Sequence, residues 1–166
     1  MADLSVFFYG LTPTVDAPFY YFQRSNGGSW ICTDYSQAKN DLQGVLFKKD
    51  FGVSGTGWQW HHVVETNHLK PLYSPRRLAI MAEQFTPCFL VSQREHAYFS
   101  TNFHSGEAPW VAFDIPKPAH SNLEGSARLL YINKLRKMYN EVYSGNNRQV
   151  LRLIANNYLD FNAKRF

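Results

Sequence analysis

The C-terminal stretch constrains this chain most. From Asn122 it reads NLEGSARLLYINKLRKMYNEVYS, with no proline. Leu129, Ile132, Leu135, Met138 and Val142 recur at three- and four-residue spacing, which predicts one apolar face of a long helix. After a GNN break, NRQVLRLIANNYLDF predicts a second amphipathic helix. Two such helices need a partner layer, and the N-terminal part offers strands. PFYYFQR, SNGG and SWICTD read as a β-hairpin, with Asn26-Gly27 supplying the positive-φ turn. LSVFFYG reads as a further strand ending at Gly10. Strands first and helices last predict an α+β fold. The 166 residues suit a single domain, 1–166, with residues 121–166 as its helical part.

The middle of the chain is mixed. SQAKNDLQGVLFKKD is expected to be an amphipathic helix capped by Ser36 and weakened by Gly44. The glycine-rich GVSGTG leads into a strand, WQWHHVVE. SPRRLAIMAEQF predicts a helix with Ser74 as cap and Pro75 at its first position. PCFLVS reads as a buried strand, REHAYFSTNFHS as a helix, and PWVAFDIPKPAH as extended chain.

Charge points to a polyanionic partner. The net charge is +4, and basic residues cluster at KLRK (134–137), RR (76–77), KK (48–49) and the final AKRF. Aromatic residues make up 16%, enough to fill a core and also to stack on bases. Two cysteines, Cys32 and Cys88, cannot build a four-cysteine zinc ribbon, and they suit a reducing compartment. MADLSVFFYG does not read as a secretion signal, and no apolar run approaches a membrane span. The expected location is therefore the cytoplasm, or the cytoplasm of a target cell after delivery, with no membrane partner. Walker, GxGxxG, HExxH and GxSxG patterns are absent.

All six histidines lie between positions 61 and 120. Histidine is the commonest metal ligand and the side chain best suited to acid–base work near neutral pH. Taken singly, His68, His104 and His120 read most simply as hydrogen-bonded structural residues. The adjacent pair His61 and His62 is different. Neighbours on a strand face opposite ways, so both can serve one site only where the strand ends, bends or forms an edge. One could then bind a metal while the other takes a proton from water.

The run QWHHVVE, a short helix, the strand CFLVS and REH opening a helix resemble the His-Me finger (HNH, ββα-metal) nucleases. More narrowly they resemble the HH-containing domains at the ends of bacterial polymorphic toxins, and the colicin DNases. The resemblance covers about residues 57–105. It implies that His62 is the general base and His61 a metal ligand. His96 would be the second ligand, with His120 as the less well fitting alternative. Glu65, His104 and His120 are further candidates for ligation or for orienting a ligand. Asn67 and Asn102 are candidates for orienting the base. Arg76, Arg77, Arg94, Lys134, Arg136 and Lys137 would hold the nucleic-acid backbone. One divalent ion is implied: magnesium, manganese, zinc or nickel. Where many relatives carry another ligand, four residues into the helix, this chain has Ser100.

The resemblance implies a metal-dependent endonuclease, acting on DNA rather than RNA, as an antibacterial toxin or effector domain with a cognate acidic inhibitor protein. Two other readings compete with it. One is an inactive nucleic-acid-binding module, which Ser100 favours. The other is an interaction protein whose histidines are only structural.

Overall fold

The computed structural model describes residues 3–40, 57–103, 111 and 123–164, with the side chain of Glu83 left aside. The fold is α+β: an antiparallel sheet formed early in the chain and helices that dominate its end. The strands are β1 (Thr14–Asp16), β2 (Phe19–Gln23), β3 (Ser29–Asp34), β4 (Trp58–His62) and β5 (Pro87–Ser92). The helices are α1 (Tyr35–Ala38), α2 (Pro75–Gln84), α3 (Gln93–Asn102), α4 (Gly125–Val142) and α5 (Gln149–Lys164). Short 3-10 helices span Leu4–Phe7, Thr66–Leu72 and Asn146–Arg148. No helix among the described residues is long and apolar enough to cross a membrane.

The sheet order is β1-β2-β3-β5-β4, which leaves β4 at an edge. The β2–β3 hairpin forms as expected, and Gly27 takes the positive φ of 90°. Pairing of His61 with Phe89 and of His62 with Cys88 fixes the register of β4. Because side chains alternate, Phe22, Trp30, Cys32, Phe89, Val91 and His61 share one face. That face meets the helices in the main core. Ile31, Leu90, Trp58, Trp60 and His62 lie on the other.

Several expectations change. LSVFFYG is no strand: Leu4–Phe7 is a 3-10 helix, with the Asp3 carboxylate accepting from the Ser5 N–H. Its three-residue repeat buries both Leu4 and Phe7, and Phe7 sets its ring edge-on to Tyr158 and Phe161 of α5. The exposed strand β1 was not expected, since its TVD has no apolar alternation. The cap of α1 is Asp34 rather than Ser36, its carboxylate accepting from the Gln37 N–H at 3.0 Å. The rest of that expected helix, residues 41–50, lies outside the described residues, as do residues 51–56 and PWVAFDIPKPAH apart from Val111. β4 stops at His62 instead of running to Glu65. Val63 and Val64 are both fully buried in the same core cluster, whereas neighbours on a strand face opposite sides of the sheet; the chain leaves the sheet there and enters the core.

The inner face of α4 is also turned relative to the expected stripe. Leu129 is exposed, and the buried residues are Arg128, Tyr131, Ile132, Leu135, Tyr139 and Val142. Tyrosine can lie in a core if its hydroxyl finds a partner, so it carries a helix face that a purely apolar count overlooks. Arg128 supplies the other surprise. Its Nε donates to the Asn162 carbonyl at 2.8 Å, and its Nη1 to the carbonyls of Leu72 (2.7 Å) and Leu123 (3.0 Å). The guanidinium also lies over the Tyr73 ring. One cation thereby ties the end of the Thr66–Leu72 turn to the start of α4 and the end of α5.

Candidate functional site

The site is assembled from β4, β5 and α3. β5 passes directly into α3 at Ser92, whose hydroxyl accepts from the Glu95 N–H at 3.1 Å and caps the helix. This puts His96, Phe99 and Phe103 on one side of the helix, at spacings of three and four. That side covers His61 on the edge strand. The His61 ring stacks on Phe99 at 4.7 Å and meets the His96 ring at right angles, 5.8 Å between centroids. Phe103 and Tyr143 also pack around it.

His61 is fully buried. Its Nε2 lies 2.7 Å from the Tyr143 hydroxyl, and that hydroxyl donates its one proton to the Val63 carbonyl, also at 2.7 Å. The hydroxyl therefore accepts from His61, and Nε2 carries the imidazole proton. His61 Nδ1 then holds the free lone pair, and it has no hydrogen-bond partner among the described residues although it is buried. Burial, helped by the nearby His96 and His62, pushes the His61 pKa well below the usual histidine value, so the ring is neutral and fit to ligate.

The residues present fit a metal ion on two counts. A buried, unpartnered imidazole nitrogen is rare in a finished core. Two imidazoles each about 2.1 Å from one ion at a tetrahedral angle have ring centroids roughly 5–6 Å apart, and the His61–His96 separation of 5.8 Å falls within that span, as it does within the span of ordinary edge-on ring packing. Against that, no three His, Cys, Asp or Glu side chains among the described residues are grouped to hold an ion.

His62 leaves the opposite face of β4. It is half-buried, with its ring 4.6 Å from that of Tyr35. Burial, and secondarily the charge of His96, lower its pKa to about 4. The same burial effect, milder, lowers His96. At neutral pH His62 thus presents a lone pair, and negative charge arriving beside it would raise its affinity for a proton.

The other candidates fall into three groups. Glu65 lies beyond the strand, with its backbone N–H bonded to the Tyr139 hydroxyl. Asn67 sits in the Thr66–Leu72 turn, and Asn102 gives its amide to the Tyr98 carbonyl of its own helix. His104 and His120 lie outside the described residues. Among the basic residues, Arg76, Arg77, Arg94 and Lys137 are exposed, Lys134 is half-buried, and Arg136 pairs with Asp160 at 2.5 Å. His68 takes the structural role: it is buried, with Nδ1 2.8 Å from the Tyr139 hydroxyl.

Tyr131, Tyr139 and Tyr143 were missed from the sequence. Their spacing of eight and four along α4 put them on one face, a signal that was present in LLYINKLRKMYNEVYS. No family model matches the chain, and neither a curated protein nor a solved structure matches it.

Proposed function

We propose that this protein is a metal-dependent endonuclease that hydrolyses phosphodiester bonds in DNA rather than RNA. The observation that carries the reading is the buried, unpartnered Nδ1 of His61 in a ring set 5.8 Å from that of His96, one residue from His62. His61 and His96 would hold one divalent ion: magnesium, manganese, zinc or nickel. When bound, the ion polarises the phosphate and steadies the leaving oxygen. His62, neutral and on the other side of the strand end, takes the proton from the attacking water. The phenylalanines around His61 exclude water from the ligand nitrogen. Exposed Arg76, Arg77, Arg94 and Lys137 bind the phosphate backbone without reading sequence. A role as a toxin or effector domain, working in the cytoplasm of its own or a target cell, extends the same proposal. An acidic inhibitor would be its partner.

The test is supercoiled plasmid and total RNA incubated with purified protein and each of the four metals. Wild type is expected to nick the plasmid, and His62→Ala to do so about 100-fold more slowly or worse. Intact plasmid and RNA with every metal would end the nuclease reading.

One observation favours a second reading, the inactive binding module. His61 is packed as a core residue, stacked on Phe99 and bonded to Tyr143. That module would bind nucleic acid with steep salt dependence and hold less than one equivalent of metal, unchanged by His96→Ala.

A further inference from the structure

The tyrosines of α4 form a ladder along the segment that leaves β4. The Tyr131 hydroxyl donates to the His68 carbonyl. The Tyr139 hydroxyl accepts from the Glu65 N–H at 2.8 Å and meets His68 Nδ1 at 2.8 Å. The Tyr143 hydroxyl bridges His61 Nε2 and the Val63 carbonyl. Each hydroxyl serves backbone or imidazole groups at the end of β4 or in the segment that follows it.

We propose that Tyr143 is a positioning residue: it holds the His61 proton on Nε2 and so makes Nδ1 the nitrogen that binds the metal. This rests on the metal-site reading above. The hydroxyl has one proton and two neighbours that could take it, the Val63 carbonyl and His61 Nε2. The carbonyl can only accept. If the hydroxyl donated to Nε2 instead, His61 would carry its proton on Nδ1. A buried N–H would then have no acceptor, and the Val63 carbonyl would lose its donor. Unpaired buried N–H groups are rarer in proteins than unpaired acceptors, because no second lone pair shares the loss. The arrangement with Nε2–H leaves only a lone pair unused, on a ring whose centroid is 5.8 Å from that of His96. Tyr143 has no freedom to turn away: it is fully buried, edge-on to Phe99 and Phe103 at 5.2 Å each. Metal-binding histidines are commonly fixed in this manner by a partner on the second nitrogen, and loss of that partner weakens metal affinity 10–100-fold.

The experiment compares wild type, Tyr143→Phe and Tyr131→Phe in the full chain. Zinc and nickel affinities are measured by calorimetry, and the His61 ring nitrogens by long-range 1H–15N correlation in metal-free protein. Wild type is expected to show the Nε2–H pattern alone, with the proton protected from exchange. Tyr143→Phe should lose that protection, show some Nδ1–H form, and bind metal about 10–100-fold more weakly. Tyr131→Phe removes a hydroxyl from the same ladder and should leave affinity within about twofold, well short of that loss. A wild-type proton on Nδ1, or Tyr143→Phe with unchanged metal affinity and an unchanged His61 spectrum, would overturn the proposal. If wild type binds no metal, the metal-site reading and the ligating role proposed for Nδ1 fail together. The nitrogen spectra then still decide whether Tyr143 holds the proton on Nε2.

Discussion

Replacing Arg128 with methionine should destabilise the protein by about 2–4 kcal/mol. Methionine keeps much of the side-chain length and lets the apolar stem stay packed, so the change isolates the charged head. Three backbone carbonyls, those of Leu72, Leu123 and Asn162, lose a charged donor at 2.7–3.0 Å. Hydrogen bonds to charged groups contribute roughly 1.5–3 kcal/mol each, so the gross loss is on the order of 5–9 kcal/mol. Two effects reduce it. The variant no longer confines a guanidinium, on a residue that is 1% exposed and with one nitrogen, Nη2, that has no partner among the described residues; that confinement costs several kcal/mol. Carbonyl groups also tolerate a missing partner better than N–H groups do. The remainder is the quoted range. With a urea dependence of about 2 kcal/mol per molar, the unfolding midpoint should fall by roughly 1–2 M. Urea titration followed by tryptophan fluorescence and far-UV circular dichroism measures it. Arg128→Lys should recover only part of the loss, because an ammonium cannot span three carbonyls from one plane. A midpoint within about 0.2 M of wild type, with unchanged slope, would show that the clamp contributes nothing net and would refute this reasoning.

Two further outcomes follow from burial. Metal-free protein should lose stability between pH 6.5 and 4. His62 has its pKa lowered from 6.5 to about 4, and His61 and His96 are lowered too. The unfolded chain therefore takes up protons first, and stability is complete above about pH 6.5 and falls as the pH drops. His62 alone accounts for at most about 2 kcal/mol by pH 5. Urea midpoints in EDTA at pH 7 and pH 5 test this, and equal midpoints would contradict it; in His62→Gln the difference should shrink. Cys32 and Cys88 are both fully buried, and burial raises both thiols well above their ordinary pKa. A thiol reagent should label neither in native protein and both in urea. Labelling of either at the rate of a free thiol would contradict the packing.

Much of the architecture was legible because local chemistry and tertiary structure agree. Ser74-Pro75 starts α2, and Asn26-Gly27 falls in the hairpin turn. The two long C-terminal helices followed from periodicity alone. Leu4–Phe7 was misread because FFY suits a strand as well as a helix, and only the packing of Phe7 against α5 decides between them. Within the site, the opposite facing of His61 and His62 followed from strand alternation. The pairing of His96 with His61 came from the resemblance, and the β5-to-α3 passage is what sets the two rings 5.8 Å apart. Tyr143 escaped because its role depends on a partner 82 residues away, and no local pattern encodes that pairing. Arg128 escaped for the same reason: a cation on an expected apolar face looks like an error until its three carbonyls are in view.

The metal site is the central claim, and crystals soaked in zinc or manganese test it most directly. An anomalous difference peak about 2.1 Å from His61 Nδ1, shared with a ring nitrogen of His96 and absent in His96→Ala, is the predicted result. A peak elsewhere, or none at millimolar metal, with His61 still bonded only to Tyr143, would contradict it and leave His61 as a core residue.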